Sequence, residues 1–279
     1  MITDHEQKGK TIFDFYSNLL GVSLDREFTV NLEELATPRL NLEELDAPFT
    51  EEEVWKTINS MPDDKAPRPD GFTGKIYKVC WQIIKVDIMA AMSSVWSRKF
   101  GNFHLLNSAY ITLLPKKQDV ISVKDYRPIS LVHSFAKLVT KLMANRLAGH
   151  LDQMVSPNQS AFIKGQFILD NFMLVQHTTK FLYQQKQPQI LLKLDITKAF
   201  DSVSWPFLLE VLRNLGFGTI WCDIISGLLA SSSTQILLNG SPGNKITHRR
   251  GLRQGDPLSP MLFILVMDIL CLMVKKASE

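Results

Sequence analysis

The chain has 279 residues, 45% hydrophobic and 21% charged, which is the composition of a folded globular protein with a sizeable core and excludes wholesale disorder. Its net charge of +3 conceals an asymmetry: residues 1–64 carry 15 acidic and 5 basic side chains, a net −10, so residues 65–279 carry +13. A surplus of that size suits a polyanionic partner such as nucleic acid, although dispersed solvated lysines would give the same sum. Three cysteines without a CxxC pair argue against a disulfide framework or a zinc site and fit a reducing, intracellular setting. The most apolar run, residues 261–274, is too short to span a bilayer and contains Asp268, so no membrane partner is expected.

In chain order, residues 11–22 have helical spacing and end on a glycine. The pentapeptide NLEEL occurs at 31–35 and again at 41–45, too few copies for a solenoid, and reads as an acidic linker or surface segment. Thr50 and Glu53 form a capping-box pattern opening a helix to about Met61. Residues 62–71 are a proline- and glycine-rich loop, and 75–99 are helical again. Residues 109–114 (AYITLL) read as a strand followed by a basic turn at Pro115, Lys116 and Lys117. Residues 129–150 read as one long amphipathic helix with Lys137 and Lys141 a turn apart, and 166–185 as another helix.

Residues 190–196 (ILLKLDI) alternate as a strand, with Lys193 and Asp195 on one face. A helix follows through about Leu215, with Gly216 as its C-cap. Residues 234–239 form a second strand, and a turn at 240–243 follows. The basic stretch HRRGLRQGDP (248–257) leads into an apolar helix over 258–276, where Asp256 helps the start. Helices around a few strands give an α+β class.

Two features carry chemistry. A carboxylate such as Asp195 at a strand end can hold a divalent cation, which phosphoryl transfer needs, although a lone Asp there is more often a turn former. The loop GLRQGDPLSP (251–260) combines two glycines, the donors Arg253 and Gln254, and a helix start, an arrangement equally fit for a phosphate-facing loop or a structural turn. Trp81, Trp96, Trp205 and Trp221 lie in apolar contexts and read as core anchors, and His133 and His248 lack an acid–base partner in sequence.

Several long segments, in order, resemble the reverse transcriptases of LINE-type (non-LTR) retrotransposons, particularly those of plants. They are FDFYSNLLG (13–21), KAPRPDGFTGKIYK (65–78), residues 115–147, SPNQSAFIKGQFILDN (156–171), LLKLDITKAFDSVSW (191–205) and RRGLRQGDPLSPMLFILVMDIL (249–270). The resemblance implies a right-hand polymerase fold with helix-rich fingers and a partial palm, an incomplete antiparallel sheet packed on helices. The divisions it suggests are an acidic extension over 1–64, fingers over 65–188 and palm over 189–279. It implies that Asp195 and the Ile196 carbonyl bind two Mg²⁺ ions, and that Phe200 lies under the sugar of the incoming nucleotide. Gln254 and Gly255 would line that site, while Lys116 and Arg127 would reach the triphosphate. Lys137, Lys141, Phe162, Arg249, Arg250 and Arg253 are candidate nucleic-acid contacts.

The implied partners are an RNA template, a DNA primer and dNTP, and the implied compartment is the nucleus. The family's loop usually reads APGPDG; here Arg68 stands for the first glycine. The family's paired-aspartate hairpin and thumb are absent, so the expected product is a polymerase fragment inactive by itself. A non-catalytic nucleic-acid-binding relic and a group II intron maturase-like protein are the alternatives.

Overall fold

The computed structural model describes residues 4–23, 26–35, 37–63, 69–163, 165–186, 190 and 193–278. Helix α1 (His5–Leu20) begins six residues before the expected start, because the Asp4 carboxylate accepts from the Gln7 N–H at 2.8 Å and caps it. The two NLEEL copies fold alike, into 3-10 turns at Glu33–Leu35 and Glu43–Asp46. In each, an asparagine Oδ1 (Asn31, Asn41) accepts from the backbone N–H two residues on, at 3.2 Å. Their leucines Leu32, Leu42 and Leu45 are buried in the main core.

Helix α2 (Glu51–Asn59) carries the expected capping box, with Glu53 N–H donating to Thr50 Oγ1 at 3.2 Å and Thr50 N–H donating to Glu53 Oε2 at 3.1 Å. The helical stretch expected over 75–99 divides into α3 (Gly74–Val79) and α4 (Trp81–Trp96), with Cys80 at the break. Helix α5 (Phe103–Leu106) precedes strand β1 (Ser108–Pro115).

The single helix expected over 129–150 is overturned in its first part. Strand β2 (Tyr126–Val132) comes first and helix α6 (Ser134–Leu147) follows. β2 pairs antiparallel with β1, and Pro128, which has no N–H to give, is accommodated because β2 is an edge of the sheet. The Asp70 carboxylate, from the Pro-Asp-Gly turn, accepts the Ser134 N–H and hydroxyl at 2.6 Å each and so fixes where α6 starts. Burial alone would raise this carboxyl. The contacts from His133, Ser134 and Phe72 outweigh it and hold Asp70 well below the usual carboxylate range. Arg68 lies outside the described residues.

Helices α7 (Leu151–Met154), α8 (Ile168–Gln184), α9 (Ala199–Ser202), α10 (Trp205–Leu215) and α11 (Thr219–Ala230) come next. Gly216 closes α10 at φ 98°, as expected of a C-cap. Strands β3 (Ser233–Leu238) and β4 (Ser241–Thr247) form a hairpin on Asn239-Gly240, both with positive φ, and α12 (Ser259–Ser278) ends the chain.

The sheet order is β2-β1-β3-β4, with β1 and β3 parallel, so the sheet is mixed rather than antiparallel. One face is closed by α1, where Tyr16 and Leu20 meet Ile111, Ile236 and Ile246. The larger core joins α2, α4, α6 and α10 to α12.

The strand expected over 190–196 is not present among the described residues of that span. Residues 191 and 192 lie outside the described residues; 190 and 193–196 are irregular and exposed. Alternation permits a strand, but a strand exists only with a ladder partner, and no described residue pairs with 193–196. Helix α8 has no buried residue and presents Leu169, Phe172 and Leu174 to solvent, beside Phe167 at its N-cap.

Candidate active site

The turn around α9 and the loop 249–256 are laced together. Leu252 N–H donates to the Phe200 carbonyl at 2.7 Å, Gly251 N–H to the Val203 carbonyl at 2.8 Å, and the Trp205 indole N–H to the Gly251 carbonyl at 2.8 Å. Only glycine fits at 251. Its φ is +79°, and a Cβ there would lie 2.6 Å from the Asp201 carbonyl oxygen. The next anchor is to the sheet, where Ser130 N–H of β2 donates to the Gln254 carbonyl at 3.0 Å. Asp256 Oδ1 then accepts from Leu258 and Ser259 at 2.8 and 3.1 Å, starting α12 as the sequence suggested. Phe200 stacks on Phe263 of α12, with centroids 4.3 Å apart.

These bonds gather a charged cluster. The Asp201 residue is buried, and Gln254, Lys198 and Lys116 bear on its charge. Burial raises its pKa; the Gln254 hydrogen bond and the two lysines oppose the rise. The Tyr16 phenol of α1 is raised, first by burial and then by Asp201. Lys198, at φ 54°, extends its ammonium over the Phe15 ring, 4.2 Å from the centroid. Burial lowers its pKa, Asp201 opposes, and Lys124, Lys116 and Arg250 add repulsion. Four cations therefore converge on one loop, a field that favours a phosphate-bearing ligand.

Of the expected site residues, the structure assembles Lys116, Phe200, Gln254 and Gly255 around this loop. Lys116 Nζ also donates to the Lys124 carbonyl at 3.0 Å. Arg127 is exposed near the start of β2, opposite Leu114 of β1. Asp195 and Ile196 sit exposed in the irregular segment. Lys137 and Lys141 are half-buried a turn apart on α6, Phe162 is exposed with φ 62°, and Arg249 is exposed.

Two arginines expected to contact nucleic acid face inward instead. Arg253 donates to Asn107 Oδ1 at 2.6 Å, to the Asn107 carbonyl and to the Ser233 carbonyl at 3.0 Å. Burial pushes its pKa down to about 10. It links the residue before β1 to β3, and its planar fork is taken up by the Asn107 side-chain oxygen and two backbone carbonyls. Arg250 donates to the Leu19 and Asn18 carbonyls at 2.6 and 3.1 Å and closes the C-terminal end of α1, where carbonyls lack helical partners. Tyr16, Lys198 and Lys124 were missed in the sequence. All three lie inside the family-like segments, but nothing local in sequence ties Tyr16 to a loop over 180 residues away.

The chemistry of the donors does not complete a two-cation centre. Among the described residues no group of three or more His, Cys, Asp or Glu side chains stands close enough to hold a metal ion. Asp195 offers one exposed carboxylate, and Asp201 is buried.

Residues 114–278 match the family described as reverse transcriptase (RNA-dependent DNA polymerase). The chain is 31% identical over 238 residues to the Transposon TX1 uncharacterized 149 kDa protein of Xenopus laevis, covering 85% of this chain and 18% of that protein. It is 30% identical over 234 residues to a retrovirus-related Pol polyprotein from type-1 retrotransposable element R2 of Popillia japonica, covering 80% and 30%. The corresponding protein from type-2 retrotransposable element R2DM of Drosophila melanogaster is 28% identical over 229 residues, covering 82% and 21%. The chain thus spans less than a third of the length of these relatives.

Proposed function

The chain belongs to the reverse transcriptase (RNA-dependent DNA polymerase) family, and on that premise we propose that it is the fingers and partial palm of a LINE-type retrotransposon polymerase. The observation that carries this reading is the loop 249–256, tied to the Phe200 turn, with Lys116, Lys124 and Lys198 gathered beside it. In the parent enzyme a primer 3′-hydroxyl attacks the α-phosphorus of a dNTP paired to an RNA template, and pyrophosphate leaves. The lysines and Arg127 hold the triphosphate, Gln254 and Gly255 line the nucleotide, and Phe200 excludes a ribose 2′-hydroxyl. Lys137, Lys141, Phe162 and Arg249 lie on the path of the strands. Divisions at 64/65 and 188/189 separate extension, fingers and palm.

In two-metal polymerases, cations about 4 Å apart stabilise the attacking and leaving oxygens. Asp195 and the Ile196 carbonyl supply part of that ligand set, and the described residues do not supply the rest. No catalytic step is therefore assigned to this chain's own metal site. No helix among the described residues is long and apolar enough to cross a membrane. A nuclear location follows from the proposed role.

This chain should bind RNA and not extend a primer. Filter binding at low salt should detect RNA, with affinity falling steeply as salt rises because counterions are released. Absence of RNA binding at low salt would remove the nucleic-acid reading. Extension on an RNA template with Mg²⁺ or Mn²⁺, abolished by Asp195→Ala, would remove the claim that the ligand set is incomplete. The single exposed carboxylate favours a second reading, a nucleic-acid-binding module without catalysis, which predicts the same binding and no extension even when joined to the further segments that its longer relatives carry.

A further inference from the structure

Arg253 is bonded through its two Nη atoms only. They donate to Asn107 Oδ1 at 2.6 Å, to the Asn107 carbonyl and to the Ser233 carbonyl at 3.0 Å. Asn107 cannot turn to offer more, because its Nδ2 donates to the Leu228 carbonyl at 2.6 Å and to Ser231 Oγ at 2.9 Å. The Arg253 Nε–H is shielded from solvent and has no hydrogen-bond partner among the described residues, and neither has the shielded Ser232 hydroxyl. Buried polar groups are nearly always paired, and an orphaned donor on a charged group costs more than a neutral one.

Both residues line one cavity. It measures about 50 Å³, with walls from α11, from α12 and from the loop 249–256. One water needs about 10–15 Å³, so the space is large enough for more than one. The chemistry of the walls selects the occupant. A cation would meet the Arg253 guanidinium. An anion would meet Asp256, a buried carboxylate on the same cavity. An apolar molecule would leave the Arg253 and Ser232 donors unmet. His248, also on the wall, adds no charge, because burial and Arg253 lower its pKa to about 3. A neutral molecule that both accepts and donates suits a wall with one cation and one carboxylate, and at this size that molecule is water.

We infer that this cavity is an internal hydration site, whose water accepts from Arg253 Nε–H and bonds the Ser232 hydroxyl. Gly251, Arg253 and Asp256 belong to the loop 249–256, and Ser232 lies in the link between α11 and β3. The water therefore joins that link to the loop and is part of what holds the loop in place. This holds whatever the loop binds.

Two measurements on the full chain decide. A high-resolution crystal structure should show ordered water about 2.5–3.2 Å from Arg253 Nε and from Ser232 Oγ. A dry cavity, or Arg253 Nε bonded to a protein oxygen, overturns the inference. So does anomalous scattering at this place after a bromide soak, which would mark an anion site. The second measurement is thermal melting of Ser232→Ala, which removes one partner of the water. The melting temperature should fall by about 2–4 °C, the loss of one hydrogen bond in a chain of this size. In a dry cavity the same change removes an unsatisfied hydroxyl, so a melting temperature that is unchanged or raised overturns the inference. Should Ser232→Ala not fold, the wild-type crystal decides alone.

Discussion

His248 makes a prediction that can be worked through in full. It follows β4, is 4% exposed, and its Nε2 lies 3.1 Å from Thr234 Oγ1. Burial, with the Arg253 charge adding to it, lowers its pKa from 6.5 to about 3. A base whose folded pKa is depressed is neutral in the fold and takes its proton first in the unfolded chain. The stability it allows is therefore present above about pH 6.5 and is lost as the pH falls from there towards 3. Within that window each pH unit costs about 1.4 kcal/mol, so two units, at pH 4.5, cost about 3 kcal/mol. That is a large part of a domain stability of about 5–15 kcal/mol. The assay is urea unfolding followed by tryptophan fluorescence at pH 7.5 and 4.5, on the wild type and His248→Gln. Glutamine does not titrate, and the carboxylates common to both proteins cancel. The stability difference between the two should move by about 3 kcal/mol in favour of the variant at pH 4.5. Curves that stay parallel to within about 0.5 kcal/mol would show that His248 titrates in the fold as it does in water, and the argument from burial would fail.

Three further outcomes follow from the packing. Gly251→Ala places a Cβ 2.6 Å from the Asp201 carbonyl at φ +79° and should lower stability by about 2–4 kcal/mol in thermal melts. Arg253→Lys keeps the charge but loses the fork that bridges Asn107 and Ser233, and should cost about 2–4 kcal/mol in urea unfolding. The exposed apolar face of α8 should make the isolated chain self-associate in sedimentation velocity. The pair Leu169→Glu and Phe172→Glu should return it to monomer, with stability changed by no more than about 0.5 kcal/mol because neither side chain is buried.

What the sequence disclosed depended on the range of the forces involved. The Thr50/Glu53 box, the Gly216 cap and the Asp256 helix start are decided by bonds spanning two to four residues, and each stands where the pattern put it. Residues 129–132 were misread because their apolar spacing also suits a helix. The decision lies in pairing with β1, from Ala109 with Val132 to Pro115 with Tyr126, which no local pattern records. The basic stretch 248–257 was misread for a related reason. Counting arginines says nothing about which carbonyls they find, and Arg250 and Arg253 find carbonyls in α1, β3 and the residue before β1. Gln254 and Phe200 were visible through family-like wording, whereas Tyr16 became part of the site only when α1 closed over the sheet.

Asp195 is where local pattern and tertiary need part most sharply. A functional side chain has to be held to within about 0.5 Å, and a strand delivers that only when neighbouring strands fix its ladder. Residues 193–196 have no such neighbour among the described residues, and Leu194 and Ile196, which alternation puts on the face opposite Lys193 and Asp195, are 59% and 41% exposed. The loop around Gln254 is in the opposite condition, fixed by bonds to β2, to the Phe200 turn and, through Arg249 and Arg250, to α1. One half of the proposed site is thus preorganised and the other is not. Binding of a phosphate-bearing ligand and chemistry upon it are therefore separable here. Binding draws on the cations and Gln254, which this chain already holds in place, whereas chemistry requires a partner strand that orders Asp195 and further oxygen ligands beside it.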